Sequence, residues 1–299
     1  MKQRIRISLP GQTLELRDSQ GALLARYAVS TAARGAGEQR GSYQTPRGRH
    51  IVRAKIGAGH PANTVFVRRR PTGEIWTPAL GAQFPDRDWI LTRILWLSGT
   101  EPGFNRLGQA DTMRRYIYIH GTPEVTTLGQ PGSHGCVRMD NGQLIELFDR
   151  VAVQTPVNIV EFSLESGAWG DLASAAFPLR EQVFIREQGV PVDMELDEFD
   201  AVSRHVLARG PDGAPIGTGR LLPDGHIGRL AVLPEWRGKG VGQALIDQLL
   251  DEASAAGLSL LVLNAQIQAA DFYRRFGFAE SGPEFLEAGI PHIQMTRNT

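Results

Sequence analysis

The stretch GSHGCVRM, Gly132 to Met139, holds the single cysteine of this 299-residue chain. A thiol becomes a nucleophile when a base or a positive neighbour favours its thiolate. Three residues converge on Cys136. His134 stands two positions before it, Arg138 two after, and His120 closes the upstream run RRYIYIH. Gly132 and Gly135 free the turn to present backbone N–H groups to a developing oxyanion. An inert buried thiol is the ordinary alternative. Zinc binding by His120, His134 and Cys136 lacks the second Cys or His-x3-His pair that would complete a tetrahedral set, so no metal is expected. A second constellation lies in RLAVLPEWRGKGVGQAL, where Arg237, Gly238, Lys239, Gly240, Val241 and Gly242 separate a strand pattern from a helical one. Glycines at a helix N-terminus let backbone N–H groups approach a pyrophosphate.

The elements needed to position these residues differ between the two halves. In the first, RIRISL, TLELRD, ALLARYAVS, HIVRAKIG and NTVFVRRR alternate or are β-branched, with turn residues between them. RRYIYIH places Tyr116 and Tyr118 on one face, Ile117 and Ile119 on the other, and His120 at a strand end. NGQLIELFDRV has helical spacing at Leu144, Leu147, Phe148 and Val151, with Asn141 as the expected cap, and TPVNIV returns as a strand. The second half alternates: a helix over 172–188, strands at HVLAR, IGTGRLL and IGRLAVL, a helix at GVGQALIDQLLDEASAAG, a strand at LSLLVLN and a short helix at AADFYRRFGF. That order implies an α/β sheet. The boundary falls near residues 161–168, with SLESG as the linker.

Composition agrees with two units. Residues 1–162 carry 21 Lys+Arg against 13 Asp+Glu, a balance of +8; residues 163–299 carry 11 against 19, a balance of −8. No basic stripe with interleaved aromatics suggests nucleic acid, no run is long enough for a membrane span, and the N-terminus lacks a signal-type apolar run. A single cysteine forms no intramolecular disulfide. The expectation is a cytoplasmic protein.

HGT at His120 to Thr122 followed by SHGCVRM resembles the motif of YkuD-type L,D-transpeptidases, and TPRGRHIV and LTRILWLSGTEPGFNR match that family too. The resemblance implies a β-sandwich-like, mostly-β catalytic domain over 1–162 that uses no cofactor. It makes Cys136 the nucleophile, His120 its base and the Gly121 carbonyl the group that orients His120. It gives His134 and the backbone of Gly135 and Cys136 to the oxyanion hole, and Arg138, with Ser133, to substrate binding. The substrate would be a peptidoglycan stem peptide, cut between its third residue, usually diaminopimelate, and D-alanine. The Arg-x-x-Gly-x-Gly loop, with VFIREQGV, LNAQIQAADFYRRFGF and EFLEAGIPHIQM, resembles the GNAT N-acetyltransferases over 163–299. This implies an α/β GNAT acyltransferase fold binding acetyl-CoA. Leu230, Ala231 and Val232 would meet its pantetheine arm, Arg237 to Gly242 its pyrophosphate, Asn264 the cofactor, and Tyr273 would protonate the thiolate of CoA. Glu187, Glu198 and His205 are candidates for the general base, with deprotonation through water as the alternative. The acceptor is an amine on a small molecule or peptide.

Acetyl-CoA is a cytoplasmic cofactor, whereas cross-linking transpeptidases act outside the membrane. The combination favours a cytoplasmic L,D-carboxypeptidase that hydrolyses murein tetrapeptides in peptidoglycan recycling. The alternatives are a cross-linking L,D-transpeptidase and a muropeptide-binding module that regulates the acetyltransferase.

Overall fold

The computed structural model describes residues 3–299. It divides into two compact units, one running to Arg17 and resuming over Leu24–Glu161, the other comprising Asp18–Leu23 and Phe162–Thr299.

In the first unit the elements are β1 (Gln3–Ser8), β2 (Thr13–Asp18), β3 (Leu23–Ala28), β4 (Gly48–Ile56), β5 (Thr64–Val67), β6 (Arg70–Ile75), α1 (Pro78–Gln83), β7 (Leu91–Gly99), β8 (Tyr118–Gly121), β9 (Val137–Met139), α2 (Asn141–Arg150) and β10 (Pro156–Val160). The ten strands form one hydrogen-bonded sheet, not two separate facing ones, along the path β3-β2-β1-β10-β4-β7-β5-β6, with β8 joining β7 to β9. Its core gathers the inward positions of that sheet, including Ile5, Ile7, Leu95, Leu97, Ile119, Val137 and Met139. The apolar spacing of α2 buries Leu144, Leu147 and Phe148 in the same core. Each such side chain contributes about 1.5–3 kcal/mol on burial, which fixes the helix against β7 and β8. Asp140, not Asn141, caps α2: its carboxylate accepts the Gln143 N–H at 2.9 Å. Asn141 is the first helical residue, and its buried side chain turns into the site.

The second unit contains β11 (Ser163–Ala168), α3 (Trp169–Arg180), α4 (Val192–Glu195), β12 (Arg204–Arg209), β13 (Pro215–Leu221), β14 (Ile227–Val232), α5 (Val241–Ala255), β15 (Leu260–Gln266), α6 (Ala270–Arg274), β16 (Ala279–Glu287) and β17 (Ile290–Asn298). The stretch expected to be a linker is strand β11, which pairs antiparallel with β12 from Ser163↔Arg209 to Ala168↔Arg204. The expected helix over 172–188 is α3 followed by a π-helical turn, Glu181–Glu187. The widening follows Pro178, which has no N–H for the α ladder. Two sheets result, β11-β12-β13-β14 and β15-β17-β16. They meet through one parallel bridge, His226↔Val262, and beyond it β14 and β15 part. Behind α4, Arg180 is fully buried and binds Glu195 (2.5 Å) and Asp200 (2.7 Å). Removing one partner of such a cluster costs about 3–5 kcal/mol because a charge is left uncompensated.

Candidate functional site

The parallel pairing of β8 with β9 sets Ile119 opposite Val137 and His120 opposite Arg138. Side chains alternate across a strand. Ile119, Val137 and Met139 therefore enter the core, while His120 and Arg138 face the other way, the side on which the Cys136 thiol meets Tyr118. Gly135 turns the chain into β9 at φ +124°, a conformation L side chains rarely adopt. The half-buried thiol packs with Phe66, Ile94 and Tyr118. Its Sγ lies 3.4 Å from the Tyr118 N–H that donates to it and 3.4 Å from the Tyr116 carbonyl. Burial pushes the Cys136 thiol up to about 12, against the lowering effect of the Tyr118 N–H, Arg138 and Arg115.

His120 is buried, and its Nδ1 lies 2.8 Å from the Gly121 carbonyl oxygen. A carbonyl only accepts, so Nδ1 carries the hydrogen and Nε2 keeps its lone pair. Burial pushes the imidazole down to about 4, against the raising effects of that hydrogen bond and of Asp88. The resting pair is a neutral thiol and a neutral imidazole. Asn141 fixes the strand end behind His120. It accepts from Thr92 Oγ1 (2.5 Å) and donates to Asn63 Oδ1 (2.9 Å) and the Thr122 carbonyl (2.8 Å). A Cβ on Gly121 would stand 2.1 Å from Asn141 Oδ1 and 2.8 Å from the Leu91 carbonyl, so only glycine fits.

The turn before Cys136 differs from expectation in three places. Ser133 is buried, and its hydroxyl accepts from the Gly135 N–H (3.1 Å) and donates to the Cys136 carbonyl (2.5 Å); it braces the turn instead of facing a substrate. The Gly135 N–H is thereby engaged and is not an open oxyanion donor, and Thr45 Oγ1 holds the Gly135 carbonyl at 3.0 Å. His134, with a 65% exposed side chain, contacts Asp88 (3.4 Å) and lies edge-on to Tyr43, whereas the thiol bonds Tyr118 and Tyr116. Arg138 donates to the Gly132 carbonyl (3.0 Å) and, at 2.6 Å, to Asp88. Asp88, 50 residues upstream, lies outside the motif stretches quoted above. Burial alone would raise its carboxyl, but Arg138 and then His120 outweigh this and hold it below the usual range.

In the second unit, Gly238 and Gly240 both take positive φ, +73° and +89°. Gly240 is the N-cap of α5 and supplies no side chain to the first-turn N–H groups, which suits an anionic ligand. Val241 is buried, Lys239 lies over the Trp236 ring at 4.8 Å, and Phe272 of α6 comes within 3.6 Å of where a Gly242 Cβ would stand. Tyr273 follows Phe272, and burial pushes its hydroxyl up to about 12, so it is protonated near neutrality. A register shift against β13 takes in Arg229, at φ +48°, and Leu230, and Ala231 and Val232 then pair with β13 on the part of β14 that runs beyond the bridge to β15. Asn264 is exposed on β15, 3.4 Å from Glu287.

Arg237 departs from the expected pyrophosphate role. Its Nε donates to the Val232 carbonyl (3.0 Å), and both terminal nitrogens grip Glu187 at 2.7 Å. Glu187 is thus engaged, and Arg237 holds its carboxyl below the usual range. His205, another candidate base, is buried against Trp169, with Nε2 donating to the Asp200 carbonyl at 3.0 Å. Glu198 is exposed.

Among the described residues no helix is long and apolar enough to cross a membrane. The YkuD family profile, described as the L,D-transpeptidase catalytic domain, matches residues 2–159, and an acetyltransferase (GNAT) domain profile matches residues 179–299. The uncharacterized N-acetyltransferase YjcF of Bacillus subtilis is 42% identical over 128 residues, which cover 41% of this chain and 90% of that protein. YyaT of the same organism is 38% identical over 128 residues, 41% of this chain and 86% of that protein. Among solved structures, an acyl-CoA N-acyltransferase from Pseudomonas aeruginosa is 32% identical and covers 46% of this chain and 99% of its own, with a TM-score of 0.43.

Proposed function

We propose, for a chain that belongs to the YkuD L,D-transpeptidase catalytic-domain family over residues 2–159 and to the GNAT acetyltransferases over residues 179–299, that the first half is a cysteine L,D-carboxypeptidase. It would release D-alanine from murein tetrapeptides. The observation that carries this reading is the Nδ1 contact of His120 with the Gly121 carbonyl, which leaves Nε2 unprotonated on the face that His120 shares with the thiol.

Cys136 Sγ attacks the carbonyl of the third stem residue as His120 Nε2 takes the thiol proton. The Cys136 amide, the remaining donor nominated in that turn, faces the developing oxyanion. His120 then passes the proton to the departing D-alanine nitrogen, leaving a thioester on Cys136. Water, deprotonated by His120, cleaves the thioester and restores the thiol. Hydrolysis is preferred over cross-linking because the second half uses acyl-CoA, a cytoplasmic compound, and this also supports a place in muropeptide recycling.

The second half is an acetyltransferase, and we assign its acyl donor as acetyl-CoA, which supplies an activated thioester when bound. The open first turn of α5 and the glycines from Gly238 to Gly242 would hold the pyrophosphate, and the free edge of β14 at Leu230 to Val232 the pantetheine arm. Tyr273 would deliver a proton to the departing thiolate. The acceptor would be an amine.

The test is mass spectrometry of a tetrapeptide muropeptide incubated with the protein. Release of D-alanine by the wild type, with loss of about 10³-fold or more in Cys136→Ala, is expected for removal of a nucleophile. Intact tetrapeptide under conditions where acetyl-CoA is consumed refutes the carboxypeptidase reading. Dimeric peptides formed with an added acceptor strand would point to transpeptidation instead.

A further inference from the structure

Asp88 lies in the segment between α1 and β7 and is held there from both sides. Arg87 bonds Glu74 of β6 at 2.9 Å and stacks on Trp89 at 4.2 Å. Trp89 is buried with Val65, Trp76 and Leu91. The carboxylate is therefore fixed beside β9, with one oxygen 2.6 Å from Arg138 and the other 3.4 Å from His134 Nδ1. Its side chain is 43% exposed, whereas that of Arg138 is 14% exposed.

This pairing changes what the mouth of the site can select. An arginine alone invites an anion. Here the guanidinium already has a carboxylate partner and a carbonyl partner, and a second carboxylate approaching Arg138 meets the negative charge of Asp88 beside it. A group with both charges a few ångströms apart meets no such conflict. Its carboxylate uses the remaining Arg138 N–H donors, and its ammonium approaches the Asp88 oxygen that makes only the long contact with His134.

We propose that Asp88 and Arg138 together read a zwitterionic α-amino-acid group on the substrate, Asp88 taking the ammonium and Arg138 the carboxylate. The inference rests on the carboxypeptidase reading above, in which the residue donating the acyl group is diaminopimelate, whose side chain ends in such a group. Asp88 is then a specificity residue that contacts substrate, not only a brace for Arg138.

Calorimetric titration of the full-length Cys136→Ala protein tests it with two tetrapeptides. One keeps the free amine at the end of the diaminopimelate side chain, and the other is N-acetylated there. About tenfold weaker binding of the acetylated peptide is expected for loss of one charge-assisted hydrogen bond. Adding Asp88→Asn should bring both peptides to the weaker level, and Asp88→Glu should restore part of the preference. Equal affinity for the two peptides, including absence of binding by either, overturns the proposal, as does a preference that survives Asp88→Asn. The comparison of peptides needs no substitution at Asp88, so it stands even if that variant misfolds. A preference for the free amine in a protein that releases no D-alanine would refute hydrolysis and keep the recognition. Equal release from both peptides by the wild type would keep hydrolysis and refute the recognition.

Discussion

A thiol raised to about 12, on the same face of the strand pair as an imidazole lowered to about 4, cannot rest with it as an ion pair near neutrality. The base is ready because it is neutral, and its readiness ends only where His120 takes a proton. The groups that bear on its titration are Asp88, which favours the imidazolium, Arg138, which opposes it, and the Gly121 carbonyl. Protonation removes the base, so activity should fall as pH drops towards about 4 and stay level from about pH 5.5 to 8. The kcat/KM profile for D-alanine release measures this. An acidic limb centred near 6.5, the value of an unburied histidine, would contradict it. The sequence made Cys136, His120 and Arg138 legible because their spacing is local to one strand pair. Asp88 was not legible, since its meaning lies in a partner 50 residues away, and Ser133 misled because nothing in its neighbours tells that its hydroxyl turns inward.

The end of the π-helical turn is tied to the glycine loop by Glu187 and Arg237, with side chains 37% and 45% exposed. Such a pair contributes about 0–1 kcal/mol to stability, so Glu187→Gln should leave the melting temperature nearly unchanged. It should nonetheless free two guanidinium edges beside the open first turn of α5. We expect a several-fold tighter Kd for CoA, steeper in its dependence on salt, by calorimetry. An unchanged Kd would mean that Arg237 serves only to hold the Val232 carbonyl and Glu187. At this scale the periodic helices were legible: α2 and α5 follow directly from their apolar spacing. The cap of α2 falls on Asp140 and not on Asn141; both are capping types, and only geometry separates them. SLESG reads as a linker because it falls where the two patterns change; its strand conformation comes from the ladder with β12, which local propensity does not encode.

Over the whole chain, the change from alternating to helix–strand patterning and the reversal of charge made two units legible, and the bridge between β14 and β15 was not. Two buried histidines of the first unit, His50 and His120, both titrate near 4, chiefly through burial. His50 is held between the Gly48 carbonyl and Thr112 Oγ1. Unfolded, each would bind a proton near 6.5, so between about 6.5 and 4 the unfolded chain holds more protons than the folded one. Stability present above 6.5 is therefore lost as pH falls through that window, by an amount on the order of a few kcal/mol. Scanning calorimetry at pH 7.5, 5.5 and 4.5 should show a progressive fall in the transition of the first unit. A transition unmoved down to pH 4.5 would contradict the burial of both rings.

The neutral state of Cys136 also sets how the protein meets oxidants and alkylating agents, which attack thiolates. At pH 7 iodoacetamide should modify Cys136 no faster than a free cysteine, as read by intact mass. A thiol kept protonated until an acyl group arrives is shielded from peroxide and electrophiles by the same burial that leaves its activation to His120, so its reactivity is reserved for molecules that fit the site.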